Sequence, residues 1–207
     1  MISLFIDTSM TNVSISIVKD GKILSIIQKD IPNMHSVYTT KFVKDVLDKA
    51  GCDANDMDNI MVVNGPGSFT GVRIGVTIAK TYGYLIKKDL TLVSSLKSLA
   101  ISSNHNDIVM SIIPANKSSY YVGIYDKDYN DIYKECCVKK EEAIELCYKY
   151  NPYIVGVDTS VIGKYKINKC NLDIVKIVNY YLDKDKVNYH AALPNYLKLP
   201  QALEDKK

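Results

Sequence analysis

The start of the chain has the hydrophobic pattern of β-strands. Residues 2–7 form a short apolar run that ends in an acid, and residues 13–17 alternate valine or isoleucine with serine. This alternation has the period of a strand with one buried face. Asp20-Gly21 is a typical type I′ hairpin turn, and residues 23–29 follow as the returning strand. The pattern therefore predicts three antiparallel strands.

A helix is predicted next. Ser36 can cap its start, and Gly51 suits the position just after its end. Between these two residues, apolar side chains recur at helical spacing at Val43, Val46, Leu47 and Ala50.

A buried strand and a second helix complete this half of the chain. Residues 60–63 are apolar, residues 65–71 form a glycine-rich loop, and the helical pattern after the loop continues to the neighbourhood of Lys88. The predicted order of elements is therefore β-β-β-α-β-α.

The second half repeats this order. Strand patterns occur at 109–113, 120–125, 132–138 and 153–158, and a helix with an acidic first turn is predicted at 141–150. The tail is predicted to be helical from Leu172 and irregular after Pro194. The repeat predicts an α/β fold of two β-β-β-α-β-α type halves, residues 1–104 and 105–207. This architecture resembles the duplicated actin-like fold of the sugar kinase, chaperone and actin superfamily.

Composition narrows the class of protein. The 207 residues are 47% hydrophobic and 24% charged, which is typical of a globular protein, and the net charge of +3 neither demands nor excludes a polyanionic partner. The five cysteines are odd in number and lack C-x-x-C spacing, which predicts reduced thiols in the cytoplasm. No segment approaches the ~18 apolar residues of a membrane span. We therefore expect a cytoplasmic protein without a membrane partner.

The glycine-rich loop is a candidate anion site. It follows a strand and opens a helix, where free N–H groups and the positive helix end attract phosphate or carboxylate. Its spacing matches neither a Walker A loop nor a dinucleotide fingerprint, so a simple tight turn is the alternative. Asp7-Thr8-Ser9 resembles the first phosphate-contact segment of the actin-like superfamily. The candidate anion- or nucleotide-binding residues are Asp7, Thr8, Ser9, Gly65, Gly67, Ser68, Thr70 and Arg73, the only arginine.

The helix after the loop has an unusually wide apolar arc. Gly71, Gly75, Ala79 and Gly83 lie on one strip, and apolar residues flank it on both sides. The arc spans roughly 200°, against the ~100° stripe of a helix that packs on one neighbour. Each interior glycine costs about 1 kcal/mol relative to alanine unless something packs closely against it. Either this helix is sandwiched inside its own domain, or its second flank packs on a partner helix; we favour the partner.

The histidines predict no metal centre. His35, His105 and His190 are far apart, and no His-x-x-x-His spacing occurs. A zinc-peptidase function therefore has no support from the sequence. We expect neither a metal site nor a cofactor, and we assign no catalytic residue.

The loop and helix also match a family signature. Residues 65–75, Gly-Pro-Gly-Ser-Phe-Thr-Gly-Val-Arg-Ile-Gly, resemble the Gly-Pro-Gly-Ser-Phe-Thr-Gly-x-Arg-x-Gly signature of the TsaB family, also called YeaZ. Residues 6–9, the Asp20-Gly21 hairpin and the Pro-x-Tyr-Leu-Lys segment at 194–198 resemble the same family. The resemblance covers the whole chain and is strongest in residues 1–100.

The resemblance implies a non-catalytic scaffold and activating subunit. TsaB proteins pair with TsaD, their catalytic paralogue, through helices of the N-terminal half. With the ATPase TsaE, the complex transfers threonylcarbamoyl from its adenylate to the adenine beside the anticodon of tRNA, so tRNA would be an indirect partner. A homodimer through the same surface is expected when TsaD is absent. The predicted partner interface is Val43, Val46, Leu47, Gly71, Gly75, Ile78, Ala79 and Tyr82.

Two segments of the second half depart from the family. Residues 114–117 read Pro-Ala-Asn-Lys where the family has Asp-Ala-Arg, and residues 156–159 lack the second glycine of a Gly-Asp-Gly loop. Both changes weaken a phosphate site in that half. A small-molecule kinase or nucleotidase that uses Asp7 and the loop at 65–71 remains the alternative function.

Overall fold

The computed structural model describes residues 1–32 and 34–198, and its helices alternate with strands in two sheets. The described helices are α1 (His35–Ala50), α2 (Phe69–Ile86), α3 (Ser95–Ser102), α4 (Lys140–Tyr150) and α5 (Ile174–Tyr181), with a short 3-10 helix at Ala54–Asp56. The described strands are β1 (Ile2–Asp7), β2 (Asn12–Lys19), β3 (Lys22–Asp30), β4 (Asn59–Gly65), β5 (Leu90–Ser94), β6 (Val109–Pro114), β7 (Ser119–Tyr125), β8 (Asp131–Lys139), β9 (Tyr153–Gly156), β10 (Ser160–Ile162) and β11 (Tyr165–Lys169). None of these helices is long and apolar enough to cross a membrane.

The first sheet has the strand order β3-β2-β1-β4-β5. Strands β1, β2 and β3 are antiparallel neighbours, and β4 and β5 run parallel to β1. The predicted hairpin between β2 and β3 is confirmed, because Asp20 and Gly21 both have positive φ angles of 48° and 73°. Helices α1 and α2 contact this sheet and each other. Their buried side chains form one core with alternate residues of β1, β2 and β4.

The second sheet repeats the first. Read from β8, its order is β8-β7-β6-β9-β11, with β10 added at the edge. The pairing is again antiparallel among the first three strands and parallel for the next two. Helix α4 packs on β7, β8 and β10 over a separate core. The predicted α/β fold with two related halves is therefore confirmed.

The two halves differ after their fourth strand. In the first half, α2 connects β4 to β5, whereas in the second half the hairpin strand β10 connects β9 to β11. The connection from Gly156 to Tyr165 is shorter than the dozen or more residues that a crossover helix needs. Between β9 and β11, the described residues therefore contain no counterpart of the glycine-rich helix.

The compact units also differ from the predicted halves. Met1–Ser95 and Asp173–Pro194 form one unit, and Leu96–Leu172 with residues 195–198 belong to the other. The predicted boundary at 104 and the assignment of the whole tail to the second half are therefore wrong; the predicted end at residue 207 lies outside the described residues. The reason is that α5 contacts β1, and Leu90 pairs with Val187 through two backbone hydrogen bonds.

Several local predictions need correction. Ser36 is not the cap of α1, because the helix begins at His35 and Met34 precedes it without a side-chain cap. Gly51 does end α1, in the left-handed conformation predicted for it. The hydrophobic pattern did not predict β5, α3, β10 and β11, which are short and carry weak periodicity.

Candidate functional site

The two segments predicted to bind an anion meet in the first unit. Since β1 and β4 are parallel neighbours, Asp7-Thr8-Ser9 after β1 lies beside the loop that follows β4. The Ser68 amide donates to the Ser9 carbonyl oxygen at 2.7 Å, and the Thr8 hydroxyl donates to the Gly71 carbonyl oxygen at 2.7 Å. The structure therefore joins the two predicted segments by hydrogen bonds to each other.

Part of the start of α2 is capped by the chain itself. Ser68 is the N-cap, and its Oγ accepts a hydrogen bond from the Gly71 amide at 3.2 Å. The Ser68 amide donates to the Ser9 carbonyl oxygen, and the Val72 amide donates to the Ser68 carbonyl oxygen at 2.9 Å. Helix-start amides are the groups that would hold a phosphate. The Val72 bond is the first regular bond of the helix, and the amides of Ser68 and Gly71 have protein partners instead of a ligand.

The glycines of the signature permit close packing. A Cβ atom at Gly67 would overlap the Ser9 carbonyl oxygen, and a Cβ at Gly71 would overlap the Thr8 carbonyl oxygen. At Gly75 it would overlap the Thr8 hydroxyl oxygen. The glycine strip of α2 therefore packs on the end of β1 within its own unit.

Asp7 is a buried acid that shapes the turn after β1. Its side chain is 4% exposed, and its Oδ1 accepts hydrogen bonds from the Ser9 amide at 2.8 Å and the Ser9 hydroxyl at 2.7 Å. Burial raises the pKa of Asp7 above its ordinary value, while the hydrogen bonds from Ser9 and the nearby His35 act in the opposite direction. The carboxyl thus serves as an internal acceptor that fixes Ser9 against the loop.

Other candidate anion residues lie on the surface. Ser68, Thr70 and Arg73 are exposed, and Gly65 is buried in the strand end with a φ of 114°. The Arg73 guanidinium stacks over the Phe69 ring at 3.8 Å from its centroid. The predicted anion-binding residues therefore fall into two groups. Ser68, Thr70 and Arg73 are exposed, whereas Asp7, Thr8 and Ser9 are buried.

The predicted partner interface is largely internal. Six of its residues are buried in the first unit and cannot meet a partner while it is folded: Val43, Val46, Leu47, Gly71, Gly75 and Ala79. The prediction is wrong for them because α1 packs directly on β2 and β3, α2 packs on β4 and β1, and the two helices also contact each other, so that these residues face the interior of the unit. Ile78 and Tyr82 are only partly buried.

Exposed or half-buried apolar side chains nevertheless occur on both helices. Val37 and Tyr38 on α1 are exposed, Val37 to 59%, and Leu85 on α2 is exposed to 65%. Ile74 and Ile78 lie on the same side of α2 as Leu85, at helical spacing, and are half-buried. We call Val37, Tyr38, Ile74, Ile78 and Leu85 the α1–α2 surface. The 3.6-residue spacing of Ile74, Ile78 and Leu85 was the sequence signal that could have identified it.

The histidines occupy three separate environments. His35 is buried with its Nε2 2.8 Å from the Met10 carbonyl oxygen, and His105 stacks on Tyr153 with ring centroids 4.2 Å apart. His190 contacts Tyr189. Within residues 1–32 and 34–198, no group of three or more His, Cys, Asp or Glu side chains is placed to hold a metal ion.

The segment at 114–117 forms the turn between β6 and β7. The Asn116 Oδ1 accepts hydrogen bonds from the amides of Ser118 at 2.9 Å and Ser119 at 2.8 Å. The residue that departs from the family pattern therefore stabilises the hairpin of the second unit.

Comparisons with known proteins show which proteins this chain is similar to. The family model described as "TsaD: tRNA N6-adenosine threonylcarbamoyltransferase" matches residues 26–193. The chain is 34% identical over 126 residues to the tRNA threonylcarbamoyladenosine biosynthesis protein TsaB of Bacillus subtilis (strain 168), which covers 60% of this chain and 55% of that protein. It is 33% identical over 146 residues to TsaB of Buchnera aphidicola subsp. Baizongia pistaciae, covering 68% and 63%.

The matches thus span only part of these relatives, 55% and 63% of their lengths. The chain also resembles a tRNA N6-adenosine threonylcarbamoyltransferase of Methylobacterium sp., with 32% identity over 73 residues, 35% of this chain and 21% of that one. Among solved structures, it superposes on YeaZ from Pseudomonas aeruginosa with a TM-score of 0.76, 22% identity and coverage of 95% and 99%. At that identity the likeness shows a shared fold.

Proposed function

The chain belongs to the TsaB (YeaZ) family of tRNA threonylcarbamoyladenosine biosynthesis proteins, and from this premise we propose that it is a non-catalytic subunit that binds and activates a TsaD-type threonylcarbamoyltransferase. The complex acts in the cytoplasm with the ATPase TsaE, and tRNA is the substrate of the complex rather than of this chain. The subunit carries no cofactor of its own.

The closed junction between β1 and α2 supports this proposal most directly. The Ser68 amide donates to the Ser9 carbonyl oxygen and the Gly71 amide donates to the Ser68 hydroxyl, so these two N–H groups are not available to a bound phosphate. Glycine at positions 67, 71 and 75 lets the backbone itself fill the space. An enzyme that handled a nucleotide here would have to open this packing, whereas a scaffold gains rigidity from it.

The α1–α2 surface is the proposed contact for TsaD. The family model described as TsaD covers most of this chain, so a TsaD partner is expected to share the fold and to offer the equivalent pair of helices. Related subunits often pair through equivalent surfaces about a two-fold or pseudo-two-fold axis. Val37 and Leu85 are the large, exposed apolar side chains that such a helix-on-helix contact would bury.

Copurification with TsaD from the same organism tests the contact. We expect a one-to-one complex by light scattering, and we expect Leu85→Glu to weaken it by about 30-fold, equivalent to about 2 kcal/mol at a central interface position. Leu85 is exposed to 65%, so the isolated variant should melt like the wild type. Thr77→Glu, which places the same charge at an exposed position of α2 on another side, is the matched control.

Two results would contradict the proposal. If Leu85→Glu and Thr77→Glu bind TsaD equally well, the contact does not use the α1–α2 surface. If the purified chain alone transfers threonylcarbamoyl to tRNA, or binds nucleotide tightly with magnesium, the subunit is an enzyme, and the kinase or nucleotidase alternative regains its basis.

A further inference from the structure

A cluster of rings and one amine stands on the surface of the first unit, where α2 ends. The Tyr84 ring lies edge-on to Tyr189 and His190, with centroids 6.0 Å away in each case. Tyr189 and His190 are 4.5 Å apart. The Lys87 amine sits 3.9 Å from the centroid of the Tyr84 ring. We call Tyr84, Lys87, Tyr189 and His190 the Tyr84 platform.

The platform is held in place from below. The Leu90–Val187 backbone pair joins its second segment to β5, and the Lys80 amine donates to the carbonyl oxygens of His190 at 3.0 Å and Ala192 at 3.1 Å. A Cβ atom at Gly83 would come within 3.0 Å of the Tyr189 Cβ, so this glycine allows the segment to lie close to α2. The rings are therefore fixed before any ligand arrives.

The platform is also accessible and positively charged. Tyr84 is 52% exposed, and Lys87 and His190 are exposed. Besides Lys87, the amine of Lys80 lies beside the segment that carries Tyr189 and His190. The nearby acid Asp89 accepts a hydrogen bond at its Oδ1 from the side-chain Nδ2 of Asn188 at 3.2 Å. The amines of Lys80 and Lys87 therefore both lie at the platform.

We propose that the Tyr84 platform binds single-stranded RNA, with an unpaired base stacked on Tyr84 and the adjoining phosphate at Lys87. Exposed aromatic faces with cations beside them recognise bases regardless of sequence, because every base offers a π-face. Unpaired loop bases are the part of an RNA that can be splayed onto such a ring. The inference rests on the proposed function in one respect, which is that the RNA is the tRNA substrate of the complex.

A protein partner fits this surface less well. Lysine is depleted from the cores of protein interfaces, whereas it supplies phosphate contacts in nucleic-acid sites. The platform places an amine directly on its exposed ring. It is also distinct from the α1–α2 surface, because on α2 Tyr84 faces about 100° away from Leu85.

Fluorescence anisotropy of a labelled single-stranded RNA oligonucleotide with the full chain tests the proposal. We expect Tyr84→Ala to weaken binding about 10-fold at constant salt, since one stacked base is lost. Tyr84→Phe should retain affinity, because its ring can still stack. Lys87→Gln should weaken binding and reduce the slope of log K against log salt by about 1, the loss of one phosphate contact.

Tyr148→Ala is the matched control, because Tyr148 is a tyrosine of α4 that is 79% exposed. It should leave the affinity unchanged, and every variant should melt like the wild type. The same sequence as duplex RNA should bind more weakly, since its base faces are hidden.

The proposal is overturned if Tyr84→Ala binds RNA like the wild type, or if duplex and single strand bind equally well. If Tyr84→Ala leaves RNA binding unchanged but weakens the TsaD complex, the platform is a protein contact. Since RNA binding is measured without TsaD, loss of the complex in Leu85→Glu with normal RNA binding would separate this inference from the proposed function.

Discussion

Gly71 shows how one missing methyl group decides the packing of a helix. The Thr8 carbonyl oxygen occupies the place that its Cβ would take, and the Thr8 hydroxyl bonds to the Gly71 carbonyl oxygen. The obstacle is backbone, which cannot rotate aside as a side-chain tip can. The close approach of α2 to β1 therefore depends on this position.

Gly71→Ala should destabilise the protein. An interior glycine-to-alanine change would favour a helix by up to about 1 kcal/mol, but the clash with Thr8 opposes it at about 1–3 kcal/mol, the usual cost of overpacking. Urea unfolding should therefore show a lower free energy of unfolding. Thr77→Ala, at an exposed position of the same helix, should show no such loss. Equal or greater stability of Gly71→Ala would disprove the close-packing explanation.

Asp7→Asn should raise the melting temperature at neutral pH. Burial raises the pKa of Asp7 above its ordinary 3.8, so the ionised form is disfavoured in the folded state. Asparagine keeps the Oδ1 acceptor for Ser9 and removes the charge.

The pH dependence gives the sign of the Asp7 effect. A carboxyl whose folded pKa is raised binds its proton more tightly when folded, so the wild type gains stability as pH falls through that pKa toward 3.8. The advantage of Asp7→Asn should therefore shrink in melts recorded at acidic pH. An advantage that is equal at all pH values, or a loss at neutral pH, would contradict the assignment of burial as the dominant cause.

At the scale of elements, α2 has two different surfaces. Gly71 and Gly75 of its glycine strip pack against Thr8 at the end of β1. Another side of the helix carries the half-buried Ile74 and Ile78 and the exposed Leu85. The wide apolar arc of the sequence therefore divides between an internal contact and a partly exposed surface, which is the proposed contact for TsaD.

The starts of α1 and α2 differ in how they are capped, and Ser68→Ala tests this. Ser68 caps α2 through the Gly71 amide, so its removal should lower the free energy of unfolding by about 1 kcal/mol. Ser36→Ala is the matched control, since Ser36 lies inside α1 and makes no cap there; it should change stability by less than about 0.5 kcal/mol. Chemical denaturation of the two variants side by side would show the difference. Equal losses would place the cap of α1 at Ser36 after all.

At the scale of the whole molecule, the first unit is built from both ends of the chain. Residues 173–194 return to it, and Ile174, Ile177 and Val178 of α5 are buried there. Their contacts with β1 and the Leu90–Val187 pair link segments that are far apart in sequence. We therefore expect the folding of this unit to require residues 173–194 as well as 1–95.

A fragment of residues 1–104 should not fold stably. Each buried aliphatic side chain of α5 contributes about 1.5–3 kcal/mol, and a whole domain is stable by only about 5–15 kcal/mol. Circular dichroism should show a broad or absent thermal transition, against a cooperative one for the full chain. A fragment that melts cooperatively near the temperature of the full chain would contradict this arrangement.

The α1–α2 surface is also where we expect a homodimer and the TsaD complex to compete. If the isolated protein pairs with itself, we expect it to use this same surface, so TsaD should displace the second copy. Light scattering of the chain titrated with TsaD should show homodimer converting into one-to-one complex. A stable species that contains two copies of this chain in mutual contact and TsaD bound through Leu85 would exclude a shared surface.

Local patterns in the sequence determined most elements of this protein. Alternation fixed β1 to β3, the Asp20-Gly21 dipeptide fixed their hairpin, and the signature at 65–75 identified the family. These features depend on backbone periods and turn chemistry that act over a few residues. The repeat of strand order followed from the same signals, which is why the duplicated fold was predicted correctly.

Only the tertiary structure decided what each apolar or polar group meets. The sequence marked the glycine strip of α2 but could not say that Thr8 would cover it, and it marked the amides of Ser68 and Gly71 but not their internal partners. It gave no sign that residues 173–194 complete the first unit. Burial and hydrogen-bond partners depend on contacts between distant segments, so a periodic pattern shows which face is apolar but not what packs against it.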